Sequence, residues 1–161
     1  PNEVLAIVKI KCHAISSEEG VTLVLDEIND PGNMGTIIRA CDWFGISSII
    51  CSTNTVDIYN PKVIQSSMGS IFRVDVMYTD LFKYLKDINS PIYGAFLDGK
   101  NVKNILFPKK MHLVMGNEAN GISEKISRLI SNKVRIENIG KETESLNVAI
   151  ASSILLYEIC S

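Results

Sequence analysis

The 161-residue sequence is poor in features that mark several large classes of protein. Its two histidines, His13 and His112, are too few and too far apart to build a zinc site. Its four cysteines, Cys12, Cys41, Cys51 and Cys160, form no CxxC pair. Cys41 and Cys51 have apolar neighbours, so reduced, buried thiols in a cytoplasmic protein are expected. No apolar run nears the roughly 20 residues of a membrane-spanning helix, and no signal peptide is visible. Neither a GxGxxG fingerprint nor a Walker A sequence is present, which removes the common dinucleotide and nucleoside-triphosphate sites. Excess positive charge is also missing: Lys and Arg total 16 against 18 Asp and Glu, a net charge of −2. A protein that binds nucleic acid over its whole surface is usually clearly basic. Any such contact here must be local, or supplied by another domain or a second subunit.

What is present is a regular alternation of strand and helix patterns. A short strand is expected at 4–10 and a polar linker at 12–20. VTLVLDEI (21–28) is nearly continuous apolar, as in a strand covered on both faces. The turn DPGN follows, with Asn33 as the expected cap of a helix over 34–45 that stops at Gly45. Strands are predicted at 47–52, 72–78, 91–99, 111–118 and 133–138. Helices are predicted at 60–69 (opened by Asn60 and Pro61), 80–89, 123–131 (capped by Ser123) and 145–160. This β-α repetition implies an α/β fold, a mostly parallel sheet with helices on both faces. Ligands on such sheets bind beyond the carboxyl ends of the strands, so the loops at 29–35, 116–122 and 138–146 are of most interest.

Each loop has a distinct pattern. In DPGNMGTIIRA (30–40), glycines open the backbone at a helix start, where free N–H groups favour an anion. Gly35 and Arg39 are four apart and share a helix face. In LVMGNEANGIS (113–123), Gly116 and Gly121 suit a backbone that approaches a ligand closely or takes a positive φ. In RIENIGKETESLNVAIASSILLYE (135–158), Ser145 and Asn147 open a helix that is apolar nearly all round, as in a core or a subunit interface. Taken singly, each loop is equally well explained by ordinary capping and turns.

Taken together, in this order and spacing, they resemble the three motifs of the SpoU (TrmH-like) family of the SPOUT superfamily. Asn33, Gly35 and Arg39 match N-x-G-x-x-x-R. Gly116, Glu118 and Gly121 match G-x-E-x-x-G. Ser145, Leu146, Asn147 and Val148 match S-L-N-V. The stretch 60–74 also resembles the family, and the likeness runs from about residue 21 to 160. The resemblance implies a SPOUT fold with a deep trefoil knot at the carboxyl end, formed by the segments of the second and third motifs. It implies S-adenosylmethionine as cofactor, with no metal. Gly116, Asn117, Glu118, Gly121, Ile136, Ile139 and Leu146 would bind it. The implied activity is methyl transfer to a ribose 2′-hydroxyl of structured RNA, ribosomal in preference to transfer RNA.

Arg39, Asn33, Glu118, Ser145 and Asn147 would form the catalytic set. The ribose hydroxyl is a poor nucleophile until its proton is leaving, so the site must align it and stabilise developing negative charge. A guanidinium is almost always protonated, which suits Arg39 to holding ribose or phosphate rather than acting as a base. Asn33, Ser145 and Asn147 would orient it. The resemblance further implies a homodimer through the last helix. Residues 1–20 would be the end of an amino-terminal substrate-binding region, and 21–161 the catalytic domain. Two departures fall near the expected cofactor: Glu137 stands where the family has proline after the isoleucine, and the loop 140–145 is one residue longer. They leave room for an alternative, an inactive RNA-binding relative with the same fold.

Overall fold

The computed structural model describes residues 7–9, 20–140 and 142–161. The strand expected at 4–10 and the linker at 12–20 lie almost wholly outside them; residues 7–9 have no regular structure. Six strands form one sheet: β1 Val21–Leu25, β2 Ser48–Ser52, β3 Asp75–Thr79, β4 Ile92–Asn101, β5 Met111–Met115 and β6 Asn132–Arg135. Their order is β3-β2-β1-β5-β4-β6, and every pairing is parallel. The helices are α1 Pro31–Trp43, α2 Pro61–Ser67, α3 Leu81–Lys86, α4 Glu124–Ser127 and α5 Val148–Cys160.

The strands separate two cores by simple alternation. Leu23, Leu25, Ile49, Leu113 and Met115 face one core, which takes in residues of α1, α2 and α5. Val24, Ile50 and Val114 face the other, under α3 and α4. This is why the central strands read as continuous apolar runs. On the α3 side, His112 enters the sheet as a buried polar group. Its Nε2 and Nδ1 lie 2.9 Å from the Tyr84 hydroxyl and 2.7 Å from Ser90 Oγ. Burial, with a smaller push from Lys110, lowers its pKa from 6.5 to about 4, so the ring is neutral at pH 7.

Several boundaries differ from expectation, each for a local reason. Asp30, not Asn33, caps α1, its carboxylate accepting from Asn33 N at 2.7 Å. Pro31 fills the first turn, where a missing N–H costs nothing, and the Asn33 side chain is released for other use. Ser70–Phe72 form a 3-10 turn, which delays β3 to Asp75. α4 is only four residues long, and Ser123 makes no side-chain cap. β6 ends at Arg135 rather than 138, because residues 136–138 leave the sheet. α5 starts at Val148 rather than 145, with Asn147 as its cap. β1, β5 and β6 all deliver their following loops to the carboxyl edge of the sheet, and α5 packs back on α1.

Candidate active site

The loop after β5 is a closed hairpin. Asn117 and Gly121 exchange backbone hydrogen bonds of 3.0 and 2.8 Å. Asn117 Oδ1 accepts from Ala119 N at 2.8 Å and Asn120 N at 3.2 Å, while its Nδ2 donates to Glu27 O at 2.8 Å. One amide therefore shapes the loop and ties it to the end of β1. Gly121 takes a φ of +67°, a region open to glycine at no steric cost. At Gly116 a Cβ would lie 2.2 Å from both Gly121 C and Ile122 N, so the hairpin closes only on bare backbone. Below it the Asp26 carboxylate, 4% exposed, accepts from Ser123 N at 2.8 Å.

A line of side chains joins the three loops. Asn33 Nδ2 donates to Glu118 Oε1 at 2.6 Å, and Asn147 Nδ2 donates to Asn33 Oδ1 at 3.0 Å. Asn147 Oδ1 accepts in turn from Ala149 N at 2.9 Å and Ile150 N at 3.4 Å. Residues 85 and 114 positions apart thus meet in one network. Its geometry depends on the Asp30 cap, which leaves the Asn33 amide free.

Beside this network lies a cleft of about 840 Å³, within the range of small-molecule sites. Gly116, Asn117, Glu118, Gly121, Ile136, Ser145 and Leu146 all line it. Its floor is apolar, from Met115, Val134, Val148 and Leu155. Ile139 does not line it; its side chain is 90% exposed. Asn33 and Asn147 stand behind Glu118 rather than in the lining. Asp98, Glu118, Glu137 and Glu144 are among the described lining residues, and no Lys, Arg or His is.

Arg39 lies apart from this group. It is exposed, and among the described residues it makes no hydrogen bond or ion pair. The expected hydrogen bonds from Asn33, Ser145 and Asn147 to Arg39 are absent. Six residues of helix separate Asn33 from Arg39, about 600° of rotation, so the two side chains point different ways. Gly35 is spent on packing: a Cβ there would sit 1.9 Å from Ser66 Oγ of α2.

Two contributors escaped the sequence reading. Asp26 anchors the loop end as described, and Glu27 holds a left-handed conformation with φ of 59°. Glu27 N donates to Ser52 Oγ at 2.9 Å, its carbonyl accepts from Asn117, and its Oε1 accepts from Asn54 Nδ2 at 3.1 Å. An acidic pair at a strand end gives no pattern signal; only the fold shows what it holds.

The chain matches the SpoU rRNA Methylase family over residues 20–157. It belongs to that family. RlmP of Bacillus subtilis, a 23S rRNA guanosine 2′-O-methyltransferase, is 29% identical over 99% of this chain and 65% of its own length. A TrmH-family protein of Porphyromonas gingivalis is 41% identical, with a TM-score of 0.83 over 88% of this chain and 59% of its own. The SpoU methyltransferase AviRb of Streptomyces viridochromogenes, solved in complex with the cofactor AdoMet, is 28% identical, with a TM-score of 0.81 over 89% of this chain and 58% of its own. This chain therefore spans under two thirds of the length of these relatives. Its parallel sheet and helices are the fold of the SpoU methyltransferases.

Proposed function

We propose that this chain is the catalytic unit of an S-adenosylmethionine-dependent RNA ribose 2′-O-methyltransferase. One observation carries the reading: Asn33, Glu118 and Asn147, from three distant segments, join in one network beside a ligand-sized cleft. The activity of the Bacillus relative and the cofactor in the Streptomyces structure support it. The residues fit that cofactor. Gly116 brings bare backbone to the wall, Met115, Val134 and Leu155 give an apolar bed, and Ile136 and Leu146 flank it.

When bound, the cofactor supplies a methyl group on a sulfonium. Arg39 would hold the ribose or its phosphate and stabilise negative charge as the 2′-hydroxyl loses its proton. Its guanidinium, exposed and without a partner among the described residues, suits a group that waits for RNA. Asn33, Glu118 and Asn147 would keep the first loop fixed against the cofactor loops, and Ser145 would offer a hydroxyl at the cleft wall. The segments of the second and third motifs would form the carboxyl-terminal knot. α5 would form the seam of a homodimer: Ile150 and Tyr157 on its outer side are 53% and 59% exposed. Residues 1–20 would end a substrate-recognition region. Ribosomal RNA is the proposed substrate, as in the Bacillus relative, and a cytoplasmic site of action goes with it.

The test is transfer of a labelled methyl group to unmodified ribosomal or transfer RNA, read by resistance of one phosphodiester to alkali. Label on ribosomal RNA at a single alkali-resistant position is the expected result. Cofactor binding with no transfer to any RNA, with the amino-terminal recognition region attached, would leave the inactive relative as the better reading.

A further inference from the structure

We infer that the cleft reads the charge of its ligand through Glu137, favouring the cationic sulfonium cofactor over the neutral thioether that remains once the methyl group is gone. The inference rests on the proposed function and concerns the same site. S-adenosylmethionine carries a sulfonium, an ammonium and a carboxylate, a net charge of +1; S-adenosylhomocysteine carries only the last two and is neutral overall. The described lining holds four carboxylates and no cationic side chain. They are not equivalent. Asp98 is paired with Lys133 Nζ at 3.1 Å, which cancels most of its field. Glu118 belongs to the Asn33 network. Glu137 is held by a neutral group, its Oε2 accepting from Asn101 Nδ2 at 3.0 Å. That bond ties the carboxylate of a cleft-lining residue to the end of β4 and leaves its charge intact.

The sequence adds weight. Glu137 follows Ile136 where the family resemblance leads one to expect proline, and the lengthened loop beyond it carries Glu144, also on the wall. The Glu137 departure therefore adds a negative charge where a neutral residue was expected. A unit charge several ångströms away in a partly solvated cleft alters affinity by about tenfold. Only the cofactor has a net charge to gain from it. The consequence is early release of the product, a step that limits many well-evolved enzymes.

The experiment is calorimetric titration of the whole chain with three probes: S-adenosylmethionine, S-adenosylhomocysteine, and sinefungin, whose amine restores the charge without sulfur. Each is measured at about 50 mM and about 500 mM salt, since screening weakens a charge effect and spares shape. The expected result is that both cationic probes bind about tenfold more tightly than the thioether at low salt, and that the gap narrows at high salt. Glu137→Gln keeps an acceptor for Asn101 and removes the charge; it should bring the three affinities to within about threefold of one another. Equal or tighter binding of S-adenosylhomocysteine by the unaltered chain, or a gap that ignores both salt and Glu137→Gln, overturns the inference and leaves the proposed function standing. Binding of none of the three overturns both.

Discussion

The two ends of β5 use polar chemistry in opposite ways. At its start, His112 is buried between two hydroxyls and its neutral ring closes a seam between the strand, Tyr84 of α3 and Ser90. At its end, Gly116 gives up a side chain so that the hairpin can close, and Asn117 spends its amide shaping backbone. The first arrangement faces only the protein. The second faces a cleft. The difference shows how one strand divides its work: satisfied polar burial at the amino end for stability, exposed shaped backbone at the carboxyl end for a ligand.

That contrast can be broken or sharpened by substitution. The largest effect is expected away from both ends. Arg39→Ala should lower turnover by about 1,000-fold while cofactor affinity stays within about twofold, separating chemistry from ligand holding. Single-turnover methyl transfer and calorimetry on the same sample check this; an equal collapse of cofactor binding would remove Arg39 from its proposed role. Next, Gly116→Ala should weaken cofactor binding by about 100-fold, because the added carbon meets backbone that cannot move without opening the hairpin.

At the other end of the strand the effect should fall on stability alone. The unfolded imidazole takes up its proton near pH 6.5 and the folded one near pH 4. The unfolded chain therefore binds more protons across that window, and stability is lost as pH falls through it. The full difference is about 3 kcal/mol, present above pH 6.5 and gone below pH 4. His112→Gln should flatten this dependence in denaturant unfolding, measured against the unaltered chain, and leave cofactor affinity at pH 7 unchanged. The smallest effect is expected for Asn147→Ala. It removes a helix cap and one link of the network, costing about 1 kcal/mol of stability and about tenfold in turnover. A variant with full turnover would make the network a packing detail.

Much of this was legible in the sequence. The α/β class followed from apolar runs and breakers, and the three loops became one site through their joint resemblance to the family's three motifs. Local chemistry decided what was misread. The Asp30-Pro31 pair is itself a cap and first-turn signal, yet Asn33, a good cap residue nearer the apolar run, drew the assignment. The strand at 133–138 and the helix at 145–160 extend too far in the sequence reading, because residues that line a cleft still carry the apolar and polar rhythm of their neighbours. The placement of Arg39 away from Asn33 follows from helix rotation, which motif spacing does not display. Asp26 and Glu27 act through backbone partners far along the chain, and no local pattern announces such bonds.

The central claim is that bare backbone at the end of β5 and the third loop together hold one cofactor per chain. Calorimetric titration of the purified chain with S-adenosylmethionine tests it most directly. The account predicts saturable binding at a stoichiometry near one, weakened about 100-fold in Gly116→Ala. A folded chain that takes up no cofactor, or a Gly116→Ala variant that binds as tightly as its parent, would contradict it.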